Sequence, residues 1–297
     1  MTLSEISIAF NNCNGSVNKS FKEFIIELQL NENNLESGCE INDSYNYILG
    51  DVEKLLDKTI INICASDLLL KKGYFNWGFI TSYYANFFII QALNRLALNF
   101  STFNKSTIKC THSNYSNDTL NIKKANKSNG SHESQFQEFY ENYSHFRTSK
   151  SIDRYWNIGI RAFKLSDEAH LRNIINYHIE KNLYYELDID LNTFNDIMKD
   201  NINYKFDSKK MKITKPQNYS IHNLELALSR VRICTYILNY IANDNLEYKN
   251  YLISRNSKRI KNIKEKYTRL DSKIQTKLFD WLAFEEIETE QSILINY

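Results

Sequence analysis

Residues 45–96 read YNYILGDVEKLLDKTIINICASDLLLKKGYFNWGFITSYYANFFIIQALNRL, and the fold turns on them. Ile48, Val52, Leu55, Leu56, Ile60, Ile63, Leu68 and Leu69 recur mostly at three- and four-residue steps, which predicts a long amphipathic helix from Ser44 to about Lys71. Gly73 marks its stop, and Phe75 to about Phe100 then reads as a second long helix, apolar nearly all round. The two are expected to pack as an antiparallel hairpin. Gly73 to Asn94 carries no charge and is long enough to span a bilayer. Asn76, Thr81, Ser82, Asn86, Gln91 and Asn94 would then each face hydrocarbon, and no second comparable segment exists, so a buried core helix is the expectation.

Outward from this hairpin, Phe21, Phe24, Ile25 and Leu28 have the spacing of a short helix within an N-terminal appendage, residues 1–43. Residues 101–134 are rich in Asn, Ser, Thr and Lys, with too few apolar side chains to repay ordering, and predict a mobile polar insertion. Helical spacing returns at Phe136, Phe139, Tyr140 and Tyr143. It returns again from Asp167, where Ser166 has the character of an N-cap and Asp167 and Glu168 favour the positive end of the helix dipole. Residues 186–219 hold the only proline, Pro216, and read mainly as loop. Leu224, Leu228, Val231, Ile237, Leu238 and Ile241 restore the helical period, and the last fifty residues suggest one or two more helices. The expected architecture is all-α: a helical domain over 44–246 interrupted by the polar insertion, flanked by the N-terminal appendage and a basic C-terminal helical segment, 247–297.

Composition narrows the chemistry. The chain of 297 residues has 42% hydrophobic and 24% charged residues, which excludes a disordered chain and a multi-span membrane protein. One proline and seven glycines supply too little turn chemistry for a sandwich, a propeller or a glycine-rich nucleotide fold, and neither GxxxxGK[ST] nor GxGxxG is present. The net charge of +2 selects no partner. Cys13, Cys39, Cys64, Cys110 and Cys234 are an odd number, widely spaced and without a CxxC, so neither a disulfide framework nor a cysteine-rich zinc site is expected. Cys110 and His112 lie close together but lack further ligands at zinc spacing; no metal and no other cofactor is expected. The N-terminus has no basic stretch ahead of an apolar run, so a reducing cytoplasm is the expected location.

What remains is Arg172-Asn173-Ile174-Ile175-Asn176-Tyr177-His178. By itself this spacing also suits a half-buried histidine and a surface arginine. Its context is the earlier helix: Gly73-Tyr74, then Tyr83-Tyr84-Ala85, Phe87-Phe88 and Leu93 resemble the signature helix of the HEPN superfamily, and Arg172, Asn173 and His178 match its downstream R-x(4-6)-H motif. The resemblance covers roughly residues 44–185, interrupted by the polar insertion; Phe88 departs from it, standing where many relatives have histidine. It implies an all-helical, dimeric fold and a metal-independent endoribonuclease of antiviral abortive infection or a toxin, with an antitoxin or a defence-system partner.

The chemistry of those residue types agrees with that implication. RNA carries its own nucleophile, the 2′-hydroxyl, so cleavage needs only proton transfer and charge stabilisation at the adjacent phosphate. Histidine titrates near neutrality and arginine offers a fixed bidentate fork to phosphate oxygens. Asn173 would orient the phosphate or the hydroxyl, and the resemblance implies a 2′,3′-cyclic phosphate and a 5′-hydroxyl as products. Six residues of helix advance about 9 Å and turn about 600°, leaving Arg172 and His178 about 120° apart; two copies facing across a dimer axis would compensate. Arg255, Lys258, Arg259, Lys261, Lys264 and Lys266 form a basic tract suited to RNA phosphates, with a smaller one at Lys205, Lys209, Lys210, Lys212 and Lys215. The rival expectation is a non-catalytic HEPN-like dimer that serves as a scaffold or binds RNA or another ligand.

Overall fold

A computed structural model describes residues 2–16, 19–104, 106–114, 118–125, 131–143, 159–160, 172 and 216–287. The helix hairpin is present: α4 (Tyr45–Lys71) and α5 (Phe75–Leu96) pack along each other. Gly73, at φ +82°, makes the turn. Its N–H donates to the Leu70 carbonyl at 3.0 Å, and that of Tyr74 reaches back to Leu69 at 3.0 Å, closing the last carbonyls of α4 as a left-handed glycine cap does. Gly78 lets the helices approach, since a Cβ there would stand 2.6 Å from a Leu70 methyl.

Three short helices precede the hairpin: α1 (Leu3–Phe10), α2 (Phe21–Glu27) and α3 (Glu32–Ser37). Capping boxes start two of them, Thr2 with Glu5 and Ser20 with Glu23, satisfying first-turn N–H groups that short helices would otherwise expose. Their apolar faces, including Phe10, Phe21 and Ile25, join the same core as the hairpin.

The all-α expectation is corrected. Residues assigned to a mobile insertion instead form strands β2 (Asn99–Asn104), β3 (Ser106–Asn114) and β4 (Thr119–Lys124), which with β1 (Cys39–Ile41) build a four-stranded antiparallel sheet in the order β1-β4-β3-β2. The fold is mixed α and β. Few apolar residues suffice because they alternate: Phe100, Cys110, Ile122 and Cys39 lie in one row across all four strands, while Ile108, Leu120 and Ile41 extend the same buried face. Phe21 meets Phe100 edge-on at 5.3 Å, tying the sheet to α2. The second hairpin helix stops short of Phe100 for the same reason: after Ala97 the chain turns through Leu98 at φ +48° and enters β2.

Helix α6 (Ser131–Tyr143) follows, its Phe136, Phe139, Tyr140 and Tyr143 buried. Then come α7 (Pro216–Asp244), α8 (Leu246–Lys266) and α9 (Ser272–Leu282). The proline thus opens a helix, where its missing N–H costs nothing. The loop expected over 186–219 is thereby corrected from Pro216 onward; the rest of it, the helix expected from Asp167 and the lysines 205–215 lie outside the described residues, apart from Arg172.

Helix α5 runs between α4 and α7, which explains its polar residues. Asn86 donates to the carbonyl of Asn223 at 2.7 Å and accepts from the buried Arg230 at 2.8 Å. Asn94 donates to the Gln135 carbonyl and accepts from Asn142. These are buried amides paired with protein rather than lipid-facing ones. Among the described residues no helix is long and apolar enough to cross a membrane.

Candidate functional site

Tyr83, Tyr84, Phe87 and Phe88 follow one another at helical spacing on α5 and form a continuous aromatic strip. Tyr83 and Phe87 are buried, with ring planes within 8° and centroids 6.5 Å apart. Tyr84 and Phe88 are partly exposed beside them, with centroids 6.2 Å apart. The strip has a buried floor and an open edge.

Two polar side chains from distant parts of the chain meet there. His132, in the first turn of α6, stacks on Phe87 at 4.1 Å with 21° between the planes. Its Nδ1 is 2.9 Å from the Tyr83 hydroxyl. Arg172 donates from Nη2 to the Tyr84 hydroxyl at 3.2 Å, with its guanidinium carbon 6.0 Å from that ring's centre. His132 and Arg172 are both partly exposed, and Tyr84 touches both, its ring edge-on to the imidazole at 6.2 Å. Partial burial, reinforced by the charge of Arg172, holds the imidazole below its ordinary pKa, so it is neutral at neutral pH. On α4, Lys58 places its ammonium 5.5 Å from the Phe88 ring centre. Guanidinium, imidazole, phenol and ammonium thus surround exposed aromatic surface.

Of the expected catalytic residues, Arg172 belongs to this cluster, whereas Asn173 and His178 lie outside the described residues. His132 was not singled out by sequence. It sits in SHESQF, a polar stretch with nothing local to distinguish it, and reaches Arg172 only because the sheet returns the chain to α5.

The basic tract divides. Arg255, Lys258, Arg259 and Lys266 line a cavity of about 310 Å³ together with Asp57, Asn262 and Tyr267. Arg259 is buried there and donates to Glu53 at 2.7 Å and Asp57 at 2.6 Å. Burial would lower its pKa, but the two carboxylates outweigh that and raise it. Arg255 pairs with the same two carboxylates. Both arginines therefore hold α8 to α4. Lys258, Lys261, Lys264 and Lys266 are exposed. Lys264 lies 5.0 Å from the Phe279 ring centre, and Lys261 is 3.8 Å from Glu265.

The solvent face of the sheet floors a wider groove of about 870 Å³, lined by Glu40, Lys109, Asn121, Lys123 and, from α6, Glu138 and Glu141. Its charges are mixed, and Glu138 already pairs with Lys109 at 2.8 Å and with Ser101. Cys110, beneath this face, is fully buried, and burial pushes its thiol far up; it is a core side chain of β3. All five cysteines are free thiols.

Comparison with protein-family models, with curated proteins and with solved structures finds no match for this chain.

Proposed function

We propose that the chain is a cytoplasmic, metal-independent endoribonuclease of the HEPN type, acting as a homodimer in antiviral abortive infection or as a toxin. Arg172 holds the scissile phosphate, His178 carries a proton, and Asn173 orients the phosphate or the 2′-hydroxyl. The 2′-oxygen attacks phosphorus, the bond to the 5′-oxygen breaks, and a 2′,3′-cyclic phosphate and a 5′-hydroxyl result. Tyr84 and Phe88 offer rings on which bases stack, and the exposed lysines of α8 draw in the backbone.

The observation that supports this reading is the meeting of Arg172 with a neutral imidazole on a partly exposed aromatic strip. The test is end-labelled RNA incubated with purified protein in EDTA. Cyclic-phosphate ends that disappear with His178→Ala are expected, and cleavage strictly requiring magnesium would refute the assignment. Absence of cleavage under every condition would favour the binding dimer.

A further inference from the structure

His132 is held as a reactive imidazole is held. Its ring plane is fixed by Phe87 at 4.1 Å, and its Nδ1 is engaged by the hydroxyl of Tyr83, which is itself fully buried. Nε2 has no hydrogen-bond partner among the described residues, and the residue is partly exposed. An engaged Nδ1 sets the tautomer and orientation, while Nε2 stays open to exchange a proton, the division of labour seen wherever imidazole works as acid or base. The bond to Tyr83 uses one nitrogen of the ring, and the ring lies beside Tyr84, edge-on at 6.2 Å, whose hydroxyl accepts from Arg172.

We propose that His132, oriented by Tyr83 and set beside Arg172, is a catalytic residue that accepts the 2′-hydroxyl proton of RNA bound on Tyr84 and Phe88. This rests on the ribonuclease reading and adds a second imidazole to it. In the step, Nε2 takes the proton as the 2′-oxygen bonds to phosphorus. The bond from phosphorus to the 5′-oxygen breaks, and that oxygen leaves with the proton that the ribonuclease reading assigns to His178, which solvent then restores. The imidazolium then returns its proton to solvent, so none is consumed overall. Arg172 neutralises the phosphorane oxygens as charge develops. Among the described residues, the titratable and charged groups beside the ring are the hydroxyls of Tyr83 and Tyr84 from α5 and the guanidinium of Arg172.

The experiment is the pH dependence of single-turnover RNA cleavage in EDTA by the full chain, with His132→Gln, His132→Ala and Tyr83→Phe beside the wild type. A base must be unprotonated, so the wild-type rate should fall on the acid side of the imidazole titration. His132→Gln should lower the rate by about 100-fold or more and abolish that acid limb while keeping the wild-type circular dichroism. Tyr83→Phe, which frees Nδ1, should move the limb. A 2′-deoxy dinucleotide, which cannot be cleaved, should raise the His132 titration point in the NMR spectrum, since a phosphate beside the ring favours imidazolium. A wild type that cleaves, with His132→Gln equally fast and keeping its acid limb, overturns this role alone. A wild type that cleaves nothing overturns the ribonuclease reading, and this role with it. An unmoved His132 titration overturns the role on binding grounds.

Discussion

Glu53 is fully buried in the first half of α4, and its carboxylate is kept there by three residues of α8: Arg259 at 2.7 Å, the Tyr248 hydroxyl at 2.5 Å and Arg255 at 3.7 Å. Burial first, and Glu53 second, push the Tyr248 phenol well above its usual range, so it stays a donor at every accessible pH. Tyr248→Phe should cost about 1–3 kcal/mol, the penalty of leaving a buried acceptor short of one donor. Arg259→Met, which strands the carboxylate, should cost more, about 3–5 kcal/mol. Urea unfolding checks the order, and equal losses would contradict it. The partly buried histidines add a pH dependence: His112 and His132 both titrate below 6.5, burial being the first cause in each. The unfolded chain therefore binds more protons just below pH 6.5, so their contribution to stability is complete above that pH and is lost as pH falls. Melting temperatures between pH 7.5 and 5 should decline, less so for His132→Gln. Sequence shows that Arg255 and Arg259 are one turn apart, and so are Glu53 and Asp57. It does not show that these turns face each other, because nearly two hundred residues separate them, and basic character alone reads equally well as an RNA surface.

Helix periodicity was legible wherever the apolar residues outnumbered alternatives, as in α4, α5 and α7. The sheet was not, although Phe100, Ile108, Cys110, Leu120 and Ile122 stand at strand spacing. Each strand brings only a short alternating run, embedded in Asn, Ser and Lys that belong to a hydrated outer face, and composition outweighed period. What secures this sheet is also non-local. Asp118, in the turn between β3 and β4, accepts at Oδ1 from the N–H groups of Ser44 and Tyr45 at 3.0 and 2.8 Å. It thereby caps α4, whose own Ser44 side chain makes no cap bond. Tyr45 returns a hydroxyl to the Thr119 carbonyl at 3.0 Å. Asp118→Ala should cost about 0.5–2 kcal/mol, as loss of an N-cap does, and Asp118→Asn distinctly less. Equal thermal stability of Asp118→Ala and wild type would show that the turn does not hold the helix.

Across the molecule, one continuous core runs from Leu3 through the hairpin to Ile287, so the terminal segments and the sheet share buried surface with the helices. That economy places the aromatic strip of α5 where α6 and Arg172 can reach it. The strip and the arginine were legible as residue types in order; their meeting with His132 was not, because it depends on the sheet bringing α6 back across α5. The claim on which the account stands is that this meeting point handles RNA through the RNA's own 2′-hydroxyl. The direct measurement is cleavage in EDTA of an oligonucleotide carrying a single ribose among deoxyriboses, by wild type and by Arg172→Ala, with product ends identified by mass spectrometry. The account predicts one cut, at the ribose, leaving a 2′,3′-cyclic phosphate and lost with Arg172→Ala. Cutting at deoxyribose positions, or a ribose cut that Arg172→Ala leaves unchanged, would contradict it.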